Sequence, residues 1–155
     1  MDELYIGVMS GTSLDGIDIV LCKVNDDNFK LLYSSEYMFD EELKQDILNA
    51  IYNPTNLKTI GELDTRLGKI YAKTINLFIE QHKINRVQIT AIGLHGQTLW
   101  HEPTSEYPFS MQLANSSLIT TITGVSVVSD FRQKDIALGG QGAPLTPAFH
   151  KYLFS

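Results

Sequence analysis

The chain opens with two apolar runs, Leu4 to Met9 and Ile17 to Val24, separated by the polar, glycine-rich stretch SGTSLDG (10–16). Both runs have the length and composition of strands. NDDN (25–28) is built of residues that tolerate left-handed or Asx geometry and predicts a turn. Phe29 to Phe39, rich in Tyr, Phe and Leu, predicts a third strand. Three strands joined by short turns form an antiparallel meander.

The apolar period then lengthens to three-and-four. Asp40 can cap a helix carrying Leu43, Ile47, Leu48 and Ile51, and Asn53-Pro54 ends it. A longer helix follows from about Leu57 to His82, with a stripe of Ile60, Leu63, Leu67, Ile70, Tyr71, Thr74, Leu77 and Phe78. Gly61 and Gly68 each weaken it by about 1 kcal/mol relative to Ala, and either can mark close packing. VQITAIGL (87–94) is nearly continuous in apolar residues, as in a parallel strand covered on both faces. It runs into GLHGQTLWHEP (93–103), read as a polar loop. Asn115 to Gly124 predicts a short capped helix with Gly124 at its C-terminal end. VSVVSDF (125–131) predicts another buried strand, ending in the polar DFRQKD (130–135). The loop LGGQGAP (138–144) precedes a last helical stretch, LTPAFHKYLF (145–154).

This order predicts an α/β fold in one domain: a mixed sheet with an antiparallel three-strand meander, then parallel crossover strands and flanking helices. Four polar clusters each follow a predicted buried strand. In an open α/β sheet such ends share one rim, where ligands bind, so one extended cleft is expected.

Composition narrows the partners. With 12 Lys+Arg against 18 Asp+Glu the formal net charge is -6. With no Lys/Arg cluster, this argues against nucleic acid and against an anionic membrane surface. One cysteine, Cys22, allows no internal disulfide and fits a reducing, cytoplasmic location. The N-terminus lacks the basic-then-apolar layout of a signal peptide, and no apolar stretch is long enough for a bilayer.

SGTSLDG is a plain tight turn or an anion-binding nest of backbone N–H groups, to which Thr12 and Ser13 add hydroxyls. It is not a P-loop, because no Lys follows the glycines and a strand comes next. Asp15 and Asp18 could face a Mg²⁺ that accompanies phosphate, or be a turn former and a solvated strand residue. His95, Gln97 and Thr98 are suited to hydrogen-bonding a polyhydroxyl ligand, with Trp100 stacking on a sugar face; alternatively His95 and Trp100 are structural. His95, His101 and Glu102 match no zinc spacing. Asp130, Arg132 and Asp135 offer a bidentate anion clamp with carboxylates to hold it, or a surface ion pair.

The strings MSGTSLDGIDIVL, GLHGQTLWHEP and VVSDFRQKDIALGGQGAPLTPAFHKYLF closely resemble the bacterial anhydro-N-acetylmuramic acid kinase family. The match is ordered and covers both ends of the chain; residues 26–85 carry no motif. The resemblance implies an RNase H-like domain of the actin/hexokinase/Hsp70-like ATPase superfamily, in which nucleotide and sugar lie between two such domains. It implies a double reaction, in which water opens the 1,6-anhydro bridge of anhydro-N-acetylmuramic acid and O6 takes the γ-phosphate of ATP. The product would be N-acetylmuramic acid 6-phosphate, an intermediate of cell-wall recycling. By this resemblance Gly11, Thr12, Ser13, Leu14, Asp15, Gly16, Ile17 and Asp18 form the ATP-phosphate hairpin. His95, Gln97, Thr98, Asp130 and Arg132 line the sugar side, and Asp18 is the candidate Mg²⁺ ligand. ATP and Mg²⁺ are the implied cofactors and the amino sugar the implied partner; a homodimer is left open.

Two departures qualify this expectation. Many superfamily relatives carry Asp two residues before the first glycine of the hairpin, where this chain has Met9. Family chains are also longer, and their catalytic Asp lies in a DTGPGN-like motif absent from these 155 residues. The resemblance thus implies a family base lying beyond Ser155, and no catalytic residue within this chain. The chain is therefore expected to be the N-terminal domain of a two-domain kinase, inactive alone. Another sugar kinase of the superfamily, or a noncatalytic nucleotide-binding or interaction domain, are the rival expectations.

Overall fold

The computed structural model describes residues 3–25, 28–143 and 149. Strands β1 (Glu3–Met9), β2 (Gly16–Val24) and β3 (Phe29–Met38) form the antiparallel meander expected from the opening pattern. Helices α1 (Glu41–Tyr52) and α2 (Leu57–Gln81) follow, then β4 (Ile89–Leu94), a β5–β6 ribbon (Gln97–Glu102, Phe109–Leu113), α3 (Ser116–Thr123), β7 (Val127–Val128) and α4 (Phe131–Ala137). The five-stranded sheet has the order β3-β2-β1-β4-β7, with β4 parallel to β1 and β7 parallel to β4.

Each helix begins on a side-chain cap or at a strained junction. Asp40 accepts from the Leu43 N–H, Asn56 from Thr59 and Asn115 from Leu118, satisfying N–H groups that have no intrahelical partner. Gly124 closes α3 in the left-handed region, as its position predicts. Leu77, placed in the expected α2 stripe, is 40% exposed, but Leu67, Tyr71 and Phe78 of that stripe are fully buried, as is Ile75. With Ile6, Val8, Ile17, Ile19, Leu21, Ile92 and Leu94 they belong to one continuous core. Each such side chain contributes about 1.5–3 kcal/mol by leaving water. Of the two α2 glycines only Gly68 marks close packing: a Cβ there would stand 3.2 Å from the Asn115 backbone, while at Gly61 it would meet nothing within 4 Å.

The structure corrects four local expectations. Residues 97–102, within the stretch expected as a polar loop, form a strand that pairs with 109–113 in a two-stranded ribbon. The strand expected over 125–131 shrinks to Val127–Val128, and DFRQKD lies in a helix rather than a strand-end loop. β4 is not buried throughout, with Thr90 exposed and Ala91 and Gly93 half-buried, and it starts at Ile89 after a 3₁₀ turn at Arg86–Gln88. The cluster LGGQGAP follows α4, not a strand. The predicted final helix, apart from Phe149, lies outside the described residues, as do Asp26 and Asp27 of the predicted turn. Ser155, beyond which the family base is expected, also lies outside the described residues, so the structure does not bear on that expectation.

Candidate functional site

The strand registers place the polar clusters. Asp18 pairs with Met9, Val8 with Leu94 and Gly93 with Val128. The turn after β1, the turn after β4 and the start of α4 therefore leave the sheet along one edge. Three strand spacings of ~4.8 Å put this rim at about 14 Å from β2 to β7.

The first turn is fixed from inside and open outside. Leu14, at φ 58, is 3% exposed and belongs to the core. Its N–H donates to the Gly11 carbonyl at 3.3 Å. A left-handed Leu costs about 1–2 kcal/mol, which burial of its side chain offsets. Gly16 is required, because an added Cβ would collide with the Tyr37 carbonyl of β3. Ile17 faces the core. Thr12, Ser13, Asp15 and Asp18 are exposed. Among the described residues none of these four side chains has a hydrogen-bond partner, and the N–H groups of Thr12 and Ser13 are likewise unpaired.

The second and third segments are interlocked. The His95 N–H donates to the Val8 carbonyl at 3.0 Å. Its ring Nδ1 lies 2.7 Å from the Gly96 carbonyl, and Nε2 receives the Arg132 Nε–H at 2.9 Å. Because a carbonyl only accepts, the proton sits on Nδ1 and the ring is neutral. Burial, and to a lesser degree the Arg132 charge, hold the ring below the ordinary imidazole value, against the pull of the Gly96 bond. Arg132 also donates to the Gly142 carbonyl at 2.5 Å, and the Gly142 N–H reaches Asp135 Oδ2 at 2.7 Å. Gln97, fully buried, donates from Nε2 to the carbonyls of Gly11 and Thr98, both at 3.3 Å. So the sequence-predicted residues meet on one rim, but His95 and Gln97 spend their polar atoms largely on the protein. Trp100 pairs with Met111 across the ribbon and is 50% exposed.

Beside this rim lies a cleft of about 500 Å³, lined among others by His95, Ser110, Gln112, Asn115, Asp130 and Gln133. That is room for a small ligand. Asp130, at φ 61, caps α4 only by position and makes no side-chain cap bond, leaving its exposed carboxylate at the cleft. Gln112 donates to Ser110 Oγ at 2.7 Å and to Thr98 Oγ1 at 3.4 Å, while its buried Oε1 has no partner, as is also true of Gln97. An unmatched buried acceptor costs about 1–3 kcal/mol until a donor arrives.

Ser110, Gln112 and Gln133 were not signalled by sequence. In FSMQL (109–113) Ser110 is buried and Gln112 partly buried while Met111 is exposed, so an apolar pattern cannot find the strand. Ser10 and Tyr71 were also missed. A Tyr in a buried helical stripe signals a hydroxyl in need of a partner, and here that partner is Ser10.

A sheet of order β3-β2-β1-β4-β7, with an antiparallel meander leading into parallel crossovers and its polar loops on one edge, defines an RNase H-like domain of the actin-like ATPase kind. A family profile described as anhydro-N-acetylmuramic acid kinase matches residues 3–155. The chain belongs to that family. It is 66% identical over 155 residues to the anhydro-N-acetylmuramic acid kinase of Sulfurimonas denitrificans, covering all of this chain and 42% of that protein. It is 54% identical over 152 residues to the one from Sulfurovum sp. and 52% over 153 to the one from Aliivibrio fischeri, in each case 98% of this chain and 42% of the relative. The chain thus spans well under half the length of the curated relatives it matches.

Proposed function

We propose that this chain is the N-terminal, RNase H-like domain of an ATP-dependent kinase acting on anhydro-N-acetylmuramic acid. Water adds across the C1–O6 bridge, its oxygen ending on C1. The freed O6 takes the γ-phosphoryl group, and ADP leaves. The observation that carries this reading is the convergence on one rim of an unpartnered donor turn and a clefted loop set, joined by the Gln97–Gly11 and Arg132–His95 hydrogen bonds.

The residues present fit the groups this reaction needs. The free N–H groups and hydroxyls of Thr12 and Ser13, backed by Gly11, suit phosphate oxygens. Asp15 and Asp18, both exposed, would repel a bare polyphosphate, so a cation must accompany it. Among the described residues no group of three His, Cys, Asp or Glu side chains converges on a metal. Asp18 is the residue that would hold an Mg²⁺ accompanying the nucleotide; the ion would supply charge neutralisation on the transferring group. Arg132, oriented by His95 and the Gly142 carbonyl, keeps donors free for a carboxylate or sugar oxygens. Thr98 and Asp130 offer further partners, and the unmatched Gln112 Oε1 suits a sugar hydroxyl or amide N–H. No residue up to Ser155 is assigned as the base that activates water; that group belongs to the remainder of the longer relatives' length.

The test is direct. A chain of the relatives' length should convert anhydro-N-acetylmuramic acid and ATP to the 6-phosphate and ADP, in preference to other sugars in a panel. The 155 residues alone should not. Turnover by the 155 residues would remove the two-domain reading, and ATP binding without sugar-dependent ADP release in the longer chain would favour a noncatalytic nucleotide-binding domain.

A further inference from the structure

Tyr71 is the most deeply buried ionisable side chain that the proposed reaction leaves unused. It is 0% exposed, and burial raises its phenol well above the ordinary tyrosine range despite the opposing Ser10 bond. It therefore stays protonated and can donate. Its hydroxyl meets Ser10 Oγ, itself 1% exposed, and Ser10 Oγ donates to the Gly96 carbonyl through a longer contact of 3.3 Å. The same carbonyl receives the His95 Nδ1–H, and His95 Nε2 receives Arg132. Donors run inward from both ends and meet on one acceptor: Tyr71 donates to Ser10 and Ser10 to the Gly96 carbonyl, while Arg132 donates to His95 and His95 to that same carbonyl. The path begins on α2, runs through Ser10, the residue preceding Gly11, and ends on the cationic side chain. A plain core position would be filled more cheaply by Phe, since a buried hydroxyl must be matched.

We propose that Tyr71 is a positioning residue: through Ser10 and the Gly96 carbonyl it sets the placement of the Gly11–Ser13 turn relative to the His95–Arg132 pair. Its effect on catalysis rests on the function proposed above; its effect on Arg132 does not.

The experiment uses a chain of the relatives' length. Tyr71→Phe removes only the hydroxyl, and Ser10→Ala breaks the same path should the first variant fold poorly. Steady-state kinetics should show kcat lowered about tenfold. In a double-mutant cycle the same change should have an effect under about twofold in an Arg132→Lys background. In parallel, the Arg132 Nε–H resonance, identified by its loss in Arg132→Lys, should be protected from exchange in the wild type. It should be exposed in Tyr71→Phe, as in a His95→Ala control. An equal kinetic loss in both Arg132 backgrounds makes Tyr71 merely structural and overturns the proposal. So does an unchanged Nε–H signal in both Tyr71→Phe and Ser10→Ala. Should the wild type turn over no anhydro-sugar, the kinase reading fails, and the Nε–H signal alone still decides whether Tyr71 positions Arg132.

Discussion

Two parts of the rim solve the problem of holding a ligand in opposite ways. In the turn of residues 10–18 the backbone is pinned, by the buried Leu14, by the contact of Gly16 with β3 and by Gln97 on the Gly11 carbonyl, while the polar side chains stand free. In residues 95–142 the side chains themselves are tied together, His95 to Arg132, Arg132 to Gly142, Gly142 to Asp135. The difference follows from what each would meet. A phosphate is bound well by backbone N–H groups, which need only a fixed main chain. A carboxylate or a sugar needs side chains held at one angle, because long cationic side chains otherwise spend entropy on ordering. One region is rigid in its main chain, the other in its side chains.

If that contrast is right, the largest effect should come from disturbing the first region's backbone. Gly16→Ala places a methyl group against the Tyr37 carbonyl, and neither strand can retreat without breaking the β2–β3 ladder. A loss of about 3 kcal/mol is expected, at the upper end for overpacking, read as a lowered denaturation midpoint. A loss below about 0.5 kcal/mol would mean that the hairpin is not pinned there.

Next come Arg132→Ala and Asp18→Asn, which should separate the two regions. Each is expected to cut turnover in a chain of the relatives' length at least tenfold, about 1.4 kcal/mol in the barrier. They should differ in stability. Asp18 makes no side-chain bond among the described residues, so its variant should stay within about 0.5 kcal/mol of wild type. Arg132→Ala leaves His95 Nε2 and the Gly142 carbonyl unmatched and should cost about 1–2 kcal/mol. The Asp18 variant should also need more Mg²⁺ for half-maximal rate. Equal stability losses, or no change in Mg²⁺ demand, would dissolve the distinction.

The same contrast explains what could be read from the chain beforehand. The meander, α1 and α2 are written in local periodicity and in caps such as Asp40 and Asn56, so their bounds fall within a residue or two of expectation. The first turn was legible because glycine and hydroxyl residues advertise backbone geometry. The second region was only half legible. His95, Gln97 and Arg132 were visible as polar residues near strand ends, but their mutual bonds depend on strand order and on a helix that DFRQKD does not announce. The β5–β6 ribbon was hidden because it buries polar residues, Gln97 and Ser110, and leaves apolar ones, Trp100 and Met111, exposed. Ser10–Tyr71 spans 61 residues, a separation no local pattern can encode.

The smallest expected effect is on acidity, and it belongs to the second region alone. His95 is neutral in the folded protein, with its proton on Nδ1, and its pKa lies below the ordinary imidazole value of 6.5. The unfolded chain therefore binds a proton on this ring at a pH where the folded chain does not. The wild type should lose stability as pH falls through 6.5 toward the depressed folded value, and keep it above 6.5. Protonation would also remove the acceptor for Arg132 and set two cations side by side. His95→Gln keeps an acceptor for Arg132 and has nothing to titrate. Between pH 8 and pH 5.5, denaturation midpoints should fall further in the wild type than in His95→Gln, and the acid limb of kcat/KM should flatten in the variant. Neither change is expected from Thr12→Ala or Ser13→Ala, whose turn contains no imidazole. Parallel pH profiles for wild type and His95→Gln would mean that the ring does not hold Arg132, and the contrast between a region rigid in its backbone and one rigid in its side chains would fail at its most specific contact.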